Sequence, residues 1–385
     1  MIVKPRRTLR AAIGLFAVVS SLAMSTAPAF AQEEGGVSII RDTEIEAILR
    51  QDCDPIFVAA GLTPQNVQIH LVGDKELNAF SAAGQQVFLN TGLIIETKTP
   101  NQLIGVIAHE TGHIAGGHIA RSGEMGRSGI APLILGMGLG VLAALAGAPD
   151  AAAGLIYSSS YFAQLSVLGY SRVQESAADQ AAVTYLEKSG QSGEGLVEFF
   201  NNFRYQEVFS DEKKYPFFRD HPLSDDRIEA LTARVSAQPH FHAVDSPEAI
   251  AKHEIMKAKL EAFLNGPQQT FVEYPESNTS FPARYARAIA YYKLLETEKA
   301  LKQIDALIAD QPNNPYLWEL KGQVLFEAGR AKEAEPAHRR SVELKPDAPL
   351  LRINLGQTLV ATEDKSKLDE AITEINRALT EEPDN

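Results

Sequence analysis

Cysteine is almost absent: Cys53 is the only one in 385 residues, so no internal disulfide can form. The chain then needs another source of stability, which a core of this length could supply. Basic charge is also in deficit, since 36 Lys and Arg stand against 49 Asp and Glu for a net −13. Such a surface argues against nucleic acid, and against anionic lipid, as the main partner. The opening apolar run is short as well. The opening run from Ala11 to Met24 falls short of the ~20 residues a spanning helix needs.

What precedes and follows that run has the form of a targeting segment. Lys4, Arg6, Arg7 and Arg10 make a basic start, and Ala29-Phe30-Ala31 a small-x-small cleavage site. Residues 1–31 are therefore expected to be a signal peptide and the protein to be exported, with an uncleaved anchor as the alternative. No cysteine stands at the cleavage point, which argues against a lipoprotein. Cleavage would remove four basic side chains and no acidic one, taking the charge from −13 to −13 − 4 = −17. The composition, 45% hydrophobic and 22% charged, is that of a folded chain, and its length suits two or three domains.

From Thr43 to Phe57, Ile45, Ile48, Leu49, Ile56 and Phe57 have helical spacing, with Asp42 or Thr43 as cap. Two short β-rich runs follow, Val67 to Val72 and Gln86 to Leu89. Thr99, Pro100 and Gln102 open the next helix, which is expected to run through His118 with apolar residues on nearly every side. Residues 128–149 carry no charge and contain five glycines and two prolines. They read as a buried or flap-like segment or a membrane-contacting one, and poorly as a spanning helix. Gly136-x-Gly138-x-Gly140 lacks the Lys-Ser/Thr or acidic partner of a phosphate loop. Ser171 and Gln174 suggest the cap of a further helix that stops at Gly190.

Beyond Pro239 the pattern is wholly helical and acquires a period. Pro312 to Pro346, Ala288 to Gly322, Gly322 to Gly356 and Ala300 to Ala334 are each 34 residues, the tetratricopeptide spacing. Small residues are needed where paired helices cross closely, and Pro ends the second helix. Residues 362–367 lengthen the last unit. The expected fold is α+β, mostly α: a first domain at 32–240, a helical linker at 241–280, and an α-solenoid of tetratricopeptide repeats at 281–385.

The chemistry is carried by His109-Glu110-Thr111-Gly112-His113. Two His four residues apart share a helical face, so both imidazoles can reach one zinc ion while Glu110 acts as catalytic base. A third ligand is required. His118 is one residue out of phase with the long metzincin motif, whose third His would fall at Ile119, so His118 reads as a supporting residue. Glu175 is the better ligand, with Asp179 one turn on to orient a ligating His. His221, held before Pro222, could donate to an oxyanion or gate the metal, or could be a surface-loop His. His240, His242, His253 and His338 have no ligand context and read as solvated or packing residues.

These motifs, with His221-Pro222 and Arg227, resemble the gluzincin peptidases that include the CAAX prenyl protease. With the signal sequence and repeat tail, the resemblance is nearest to the periplasmic, β-barrel assembly-enhancing type within that family. Asn78-Ala79-Phe80 and Asn90-Thr91-Gly92-Leu93 resemble its edge-strand region, while Ala82-Ala83-Gly84-Gln85 departs from its more usual Pro-Gly-Gly. The resemblance implies that 32–240 is a zincin-like metallopeptidase domain, a zinc endopeptidase acting on misfolded or unassembled envelope proteins, located in the periplasm or against the outer membrane, with repeats docking a protein partner. An extended substrate is expected to pair with a strand around Val87 to Leu89. Two other classes remain open: a chaperone or adaptor with a latent zinc site, and a hydrolase of another amide such as a peptidoglycan stem peptide.

Overall fold

The computed structural model describes residues 38–145, 148–210 and 213–382. The targeting segment expected at 1–31 and the closing Pro383 lie outside the described residues. The fold is α+β and mostly helical, as expected. After the short β1 (Ile39–Ile40) comes α1 (Thr43–Ala59), capped by Asp42, whose carboxylate accepts from the amides of Glu44 and Ile45. Three strands follow: β2 (Gln68–Val72), β3 (Ala79–Ala82) and β4 (Gln86–Asn90).

The sheet order is β1-β2-β4-β3. β4 pairs parallel to β2, Ile69 opposite Val87, and antiparallel to β3, Phe80 opposite Phe88. The expectation of an exposed strand at Val87 to Leu89 is therefore corrected. β4 has a partner on both sides, and the edge strands are β1 and β3, of which β3 is the one beside β4. Alternation puts Val87 and Leu89 in the core and leaves Phe88 stacked between His70 and Phe80 on the other face.

The helices α2 (Thr91–Glu96) and α3 (Pro100–Ala115) come next. Thr99 caps α3 by accepting from the Gln102 amide, and Gln102 Oε1 accepts in turn from the Lys98 amide. α3 ends earlier than expected: Gly116 caps it and Gly117 adopts a φ of +64°, a left-handed turn that glycine takes without strain. α4 (Ser122–Leu145) and α5 (Pro149–Lys188) then form a long helical hairpin. Ser171 sits inside α5 rather than at its start, a second correction. Nothing between Pro149 and Lys188 breaks a helix, so a favourable cap sequence had no end to cap.

The domain is completed by α6 (Glu194–Asn202), α7 (Pro216–Asp220) and α8 (Asp225–Ser236). Its core gathers Ile45, Leu49 and Phe57 of α1, Leu71 and Leu89 of the sheet, Val106 and Ile107 of α3, and Phe199 and Phe217. α9 (Pro247–Leu264) then turns Met256 and Leu260 into this core and Ala258 and Ala262 into a second one. After α10 (Pro267–Glu273) come three helix pairs, α11 (Phe281–Lys293) with α12 (Thr297–Asp310), α13 (Pro315–Glu327) with α14 (Ala331–Leu344), and α15 (Pro349–Ala361) with α16 (Leu368–Glu381). The periodic glycines mark the crossings. A Cβ on Gly322 would stand 2.1 Å from His338 Cδ2, and one on Gly356 2.6 Å from Ile375 Cγ1.

Candidate metal centre

Three segments converge on one buried point. α3 brings His109, Glu110 and His113, α5 brings Glu175 and Asp179 at a spacing of four, and the turn after α7 brings His221. α3 and α5 approach closely because Gly112 faces Ala178: a Cβ on Gly112 would lie 2.8 Å from the Ala178 carbonyl oxygen. Every one of these side chains is buried, His109 and Glu110 completely.

His109, His113, Glu175 and His221 each present one donor atom, all within 4.8 Å of one another. His109 Nε2 is 3.2 Å from His113 Nε2, 3.3 Å from His221 Nδ1 and 3.4 Å from Glu175 Oε2. His113 Nε2 is 3.4 Å from Glu175 Oε1, and His221 Nδ1 is 3.1 Å from Glu175 Oε2. Two donors each ~2.0 Å from one tetrahedral zinc stand about 3.3 Å apart, and these separations, which draw on both Glu175 oxygens, are close to that value. The donor set of imidazole and carboxylate fits such an ion.

Electrostatics gives the same answer. Burial opposes charge on His109, yet Asp179 and Glu175 hold its imidazole protonated up to about 10. Burial and the neighbouring His109 push His113 down to about 2. Burial also works against an ionised Glu175, but His221 and His109 hold it well below the usual carboxylate range. The carboxylates thus demand a positive charge at this point, and a divalent cation supplies one without protonating the donors.

Around the donors is a supporting layer. Asp179 Oδ1 lies 3.0 Å from His109 Nδ1, and Arg227 grips Asp179 with a fork of 2.8 and 2.9 Å while reaching Glu175 at 3.3 Å. Arg227 stacks over Phe200 and donates to the Pro222 carbonyl, which ties the His221 turn to α8. His118, released from the helix at Gly117, folds back so that its Nδ1 is 3.0 Å from His113 Nδ1. Glu110 points to the β3 edge: Ser81 Oγ donates to its Oε2 at 3.1 Å. Its Oε1 is buried without a hydrogen-bond partner, 3.3 Å from His221 Nε2. Burial raises the Glu110 pKa.

His221 is buried, so the surface-loop alternative does not hold. Sequence reasoning gave Arg227 and Ser81 no role. Arg227 entered only among the residues that carry the resemblance, and the signal for its role was that a buried Asp179 with one oxygen on a His needs a cation for the other; no local pattern marks Ser81. His253 and His338 are buried packing residues, whereas the exposed His240 pairs with Glu187.

Comparison with known proteins bears on the same region. The model of peptidase family M48 matches residues 40–235, and a tetratricopeptide repeat model matches 285–349. The beta-barrel assembly-enhancing protease of Yersinia pestis is 25% identical over 297 residues, covering 76% of this chain and 60% of that protein. The protein of that name from Escherichia coli K12 is 24% identical over 292 residues, 74% of this chain and 58% of the relative. Metalloprotease LoiP of the same strain is 30% identical over 181 residues, 45% of this chain and 64% of LoiP. The chain spans between about half and three-fifths of the length of the assembly-enhancing relatives it matches.

Proposed function

The chain belongs to peptidase family M48, and from that premise we propose that it is a zinc-dependent endopeptidase whose ion is held by His109, His113 and Glu175. The observation that carries the reading is the buried convergence of these donors beside Glu110. When bound, the ion would supply Lewis-acid chemistry, polarising the scissile carbonyl and acidifying water. The chain's own residues do the rest. An extended substrate adds antiparallel to the β3 edge, where Ser81 marks the approach to Glu110. Glu110, buried and raised in pKa, takes a proton from the attacking water and returns it to the leaving amine. Asp179, gripped by Arg227, keeps the His109 ring oriented, and His118 does so for His113.

His221 has two possible parts. Its Nδ1 lies among the donors, which supports a gate that fills the fourth position until substrate displaces it. Its Nε2 faces Glu110, which would suit an oxyanion donor once the ring swings out. His221→Ala separates them, since loss of a gate raises casein cleavage and loss of an oxyanion donor lowers it. The relatives' names, which speak of beta-barrel assembly, support misfolded or unassembled envelope proteins as substrates, and the signal-like start supports a periplasmic location. The repeats would recruit a protein client or assembly machinery, and the uncharged stretch 128–149 would make peripheral membrane contact.

The closed donor set also favours one second reading, a chaperone or adaptor whose metal site is latent. Glu110→Gln decides between them. As an endopeptidase, the variant keeps its zinc and loses casein cleavage by at least about a hundredfold, whereas full client protection by this variant would favour the chaperone. Glu175→Ala is expected to lose zinc. Full occupancy there would remove Glu175 from the ligand set, and cleavage indifferent to chelators would end the metallopeptidase reading.

A further inference from the structure

The hairpin that continues the two site helices is built the wrong way out for water. Its arms meet through small residues: a Cβ on Gly136 would lie 2.1 Å from Ser159 Cβ, and one on Gly140 2.7 Å from Ile156 Cγ1. Its large apolar residues face outward instead. Ile134, Leu135 and Leu142 of α4, and Tyr157, Tyr161 and Phe162 of α5, are each more than half exposed. Around α4 the exposed apolar positions, from Ile130 to Leu142, cover about 180° of the circumference. The face they leave is the one packed on α5. A helix pair that folds in water buries its large apolar residues and turns polar ones outward. Small residues at the crossing with large ones outside is the arrangement of helices that pack in lipid.

Charge follows the same division. From 128 to 171 the only charged residue is Asp150. At the base of the hairpin, on the side of the metal centre, stand the exposed arginines Arg121, Arg127 and Arg172. Guanidinium groups at that level meet lipid phosphates, while the apolar arms find acyl chains. No helix among the described residues is long and apolar enough to cross a membrane, so both arms enter and leave on one side. The backbone can do so because its hydrogen bonds close within each helix. Leu168 precedes Glu175 by seven residues, about 10 Å along α5, so the donors sit just above the apolar surface.

We propose that the two helical arms, residues 128–145 and 149–171, insert together into a lipid bilayer from one side and hold the metal centre at its surface, so that the substrates are polypeptide segments presented at the membrane boundary. The substrate clause rests on the endopeptidase reading; insertion does not. Because the chain is acidic overall, attraction to lipid is hydrophobic and survives high salt.

The test is flotation of the full chain with vesicles of phosphatidylethanolamine and phosphatidylglycerol. The unmodified protein is expected to float at low and at molar salt. The combined variant Leu135→Asp, Leu142→Asp, Phe162→Asp, changed only at exposed positions, is expected to float roughly tenfold less while cleaving soluble casein at the original rate. A second measurement moves the single Trp, by Trp318→Phe with Leu142→Trp, and expects its emission to shift to the blue and to be quenched by lipids brominated in the acyl chains. Failure of the unmodified protein to float, equal flotation of the aspartate variant, or an unquenched Trp each overturns insertion. So does lipid-free self-association that the aspartate variant abolishes, because the apolar surface would then be a contact between copies. Casein tethered to vesicles is expected to be cut about tenfold faster than free casein, and only by protein with the native hairpin. Equal rates overturn the substrate clause. Flotation without any cleavage of casein sinks the endopeptidase reading and leaves insertion standing.

Discussion

His109 can give its Nε2 lone pair to an ion only if the ring's proton resides on Nδ1, and Asp179 stands 3.0 Å from that atom. Asp179 is in turn held by both arms of the Arg227 fork, so the orientation of one donor ring rests on two further side chains. Asp179→Asn keeps the shape and removes the charge, and is expected to weaken zinc binding about 10- to 100-fold. Competition with a fluorescent zinc chelator measures this; unchanged affinity would mean that Asp179 only packs. At this scale the sequence was most readable where the spacing is local. His109 and His113 share a turn, and Glu175 and Asp179 repeat that spacing, so helical geometry alone pairs them. Ser81 and Arg227 come from an edge strand and a third helix, and their partners are fixed by packing that no periodicity records. His118 became a neighbour of His113 only because the helix ends before it.

Elements were readable when an end signal coincided with a real end. Asp42, Thr99 and Gly190 do so, and Ser171 does not, because tertiary continuity of α5 outweighs a local cap. β3 was identified only by resemblance, since four residues carry too little alternation to read as a strand. Between elements, two buried imidazoles give a pH dependence. His338 joins α14 to Thr358 of α15 at 2.7 Å, and His253 joins α9 to the Thr97 carbonyl at 3.1 Å. Burial pushes both down to about 4. The unfolded chain therefore binds protons between roughly pH 6.5 and 4 that the folded chain refuses. Stability from each neutral ring is complete above that range and is lost as pH falls through it, by up to about 3 kcal/mol per ring. Urea unfolding at pH 7 and pH 4.5 should show a steeper loss in the native protein than in His338→Gln. Parallel losses would show that His338 titrates normally in the folded state.

Across the whole molecule, the question is whether the repeats ride on the peptidase domain or merely follow it. α9 has one face in each core, so no flexible hinge separates them, although 241–280 reads as a linker by position. A buried charge cluster sits at the junction. Lys259 of α9 pairs with Asp42 at 2.8 Å and Glu44 at 3.1 Å, and Glu44 also accepts from the Tyr285 hydroxyl of the first repeat at 2.9 Å. Thr43 reaches Glu319 of the second repeat. A cluster of this kind adds little net stability over apolar packing, but breaking it strands a buried charge. Lys259→Met should therefore cost about 3–5 kcal/mol, and the accompanying change Glu44→Gln should restore part of it. Because both cores share α9, the native protein is expected to unfold in one transition by calorimetry, and Lys259→Met to split it into two. Two transitions already present in the native chain would show that the repeats are an independent unit, and a charge cluster placed between them could then carry no information from client to metal centre.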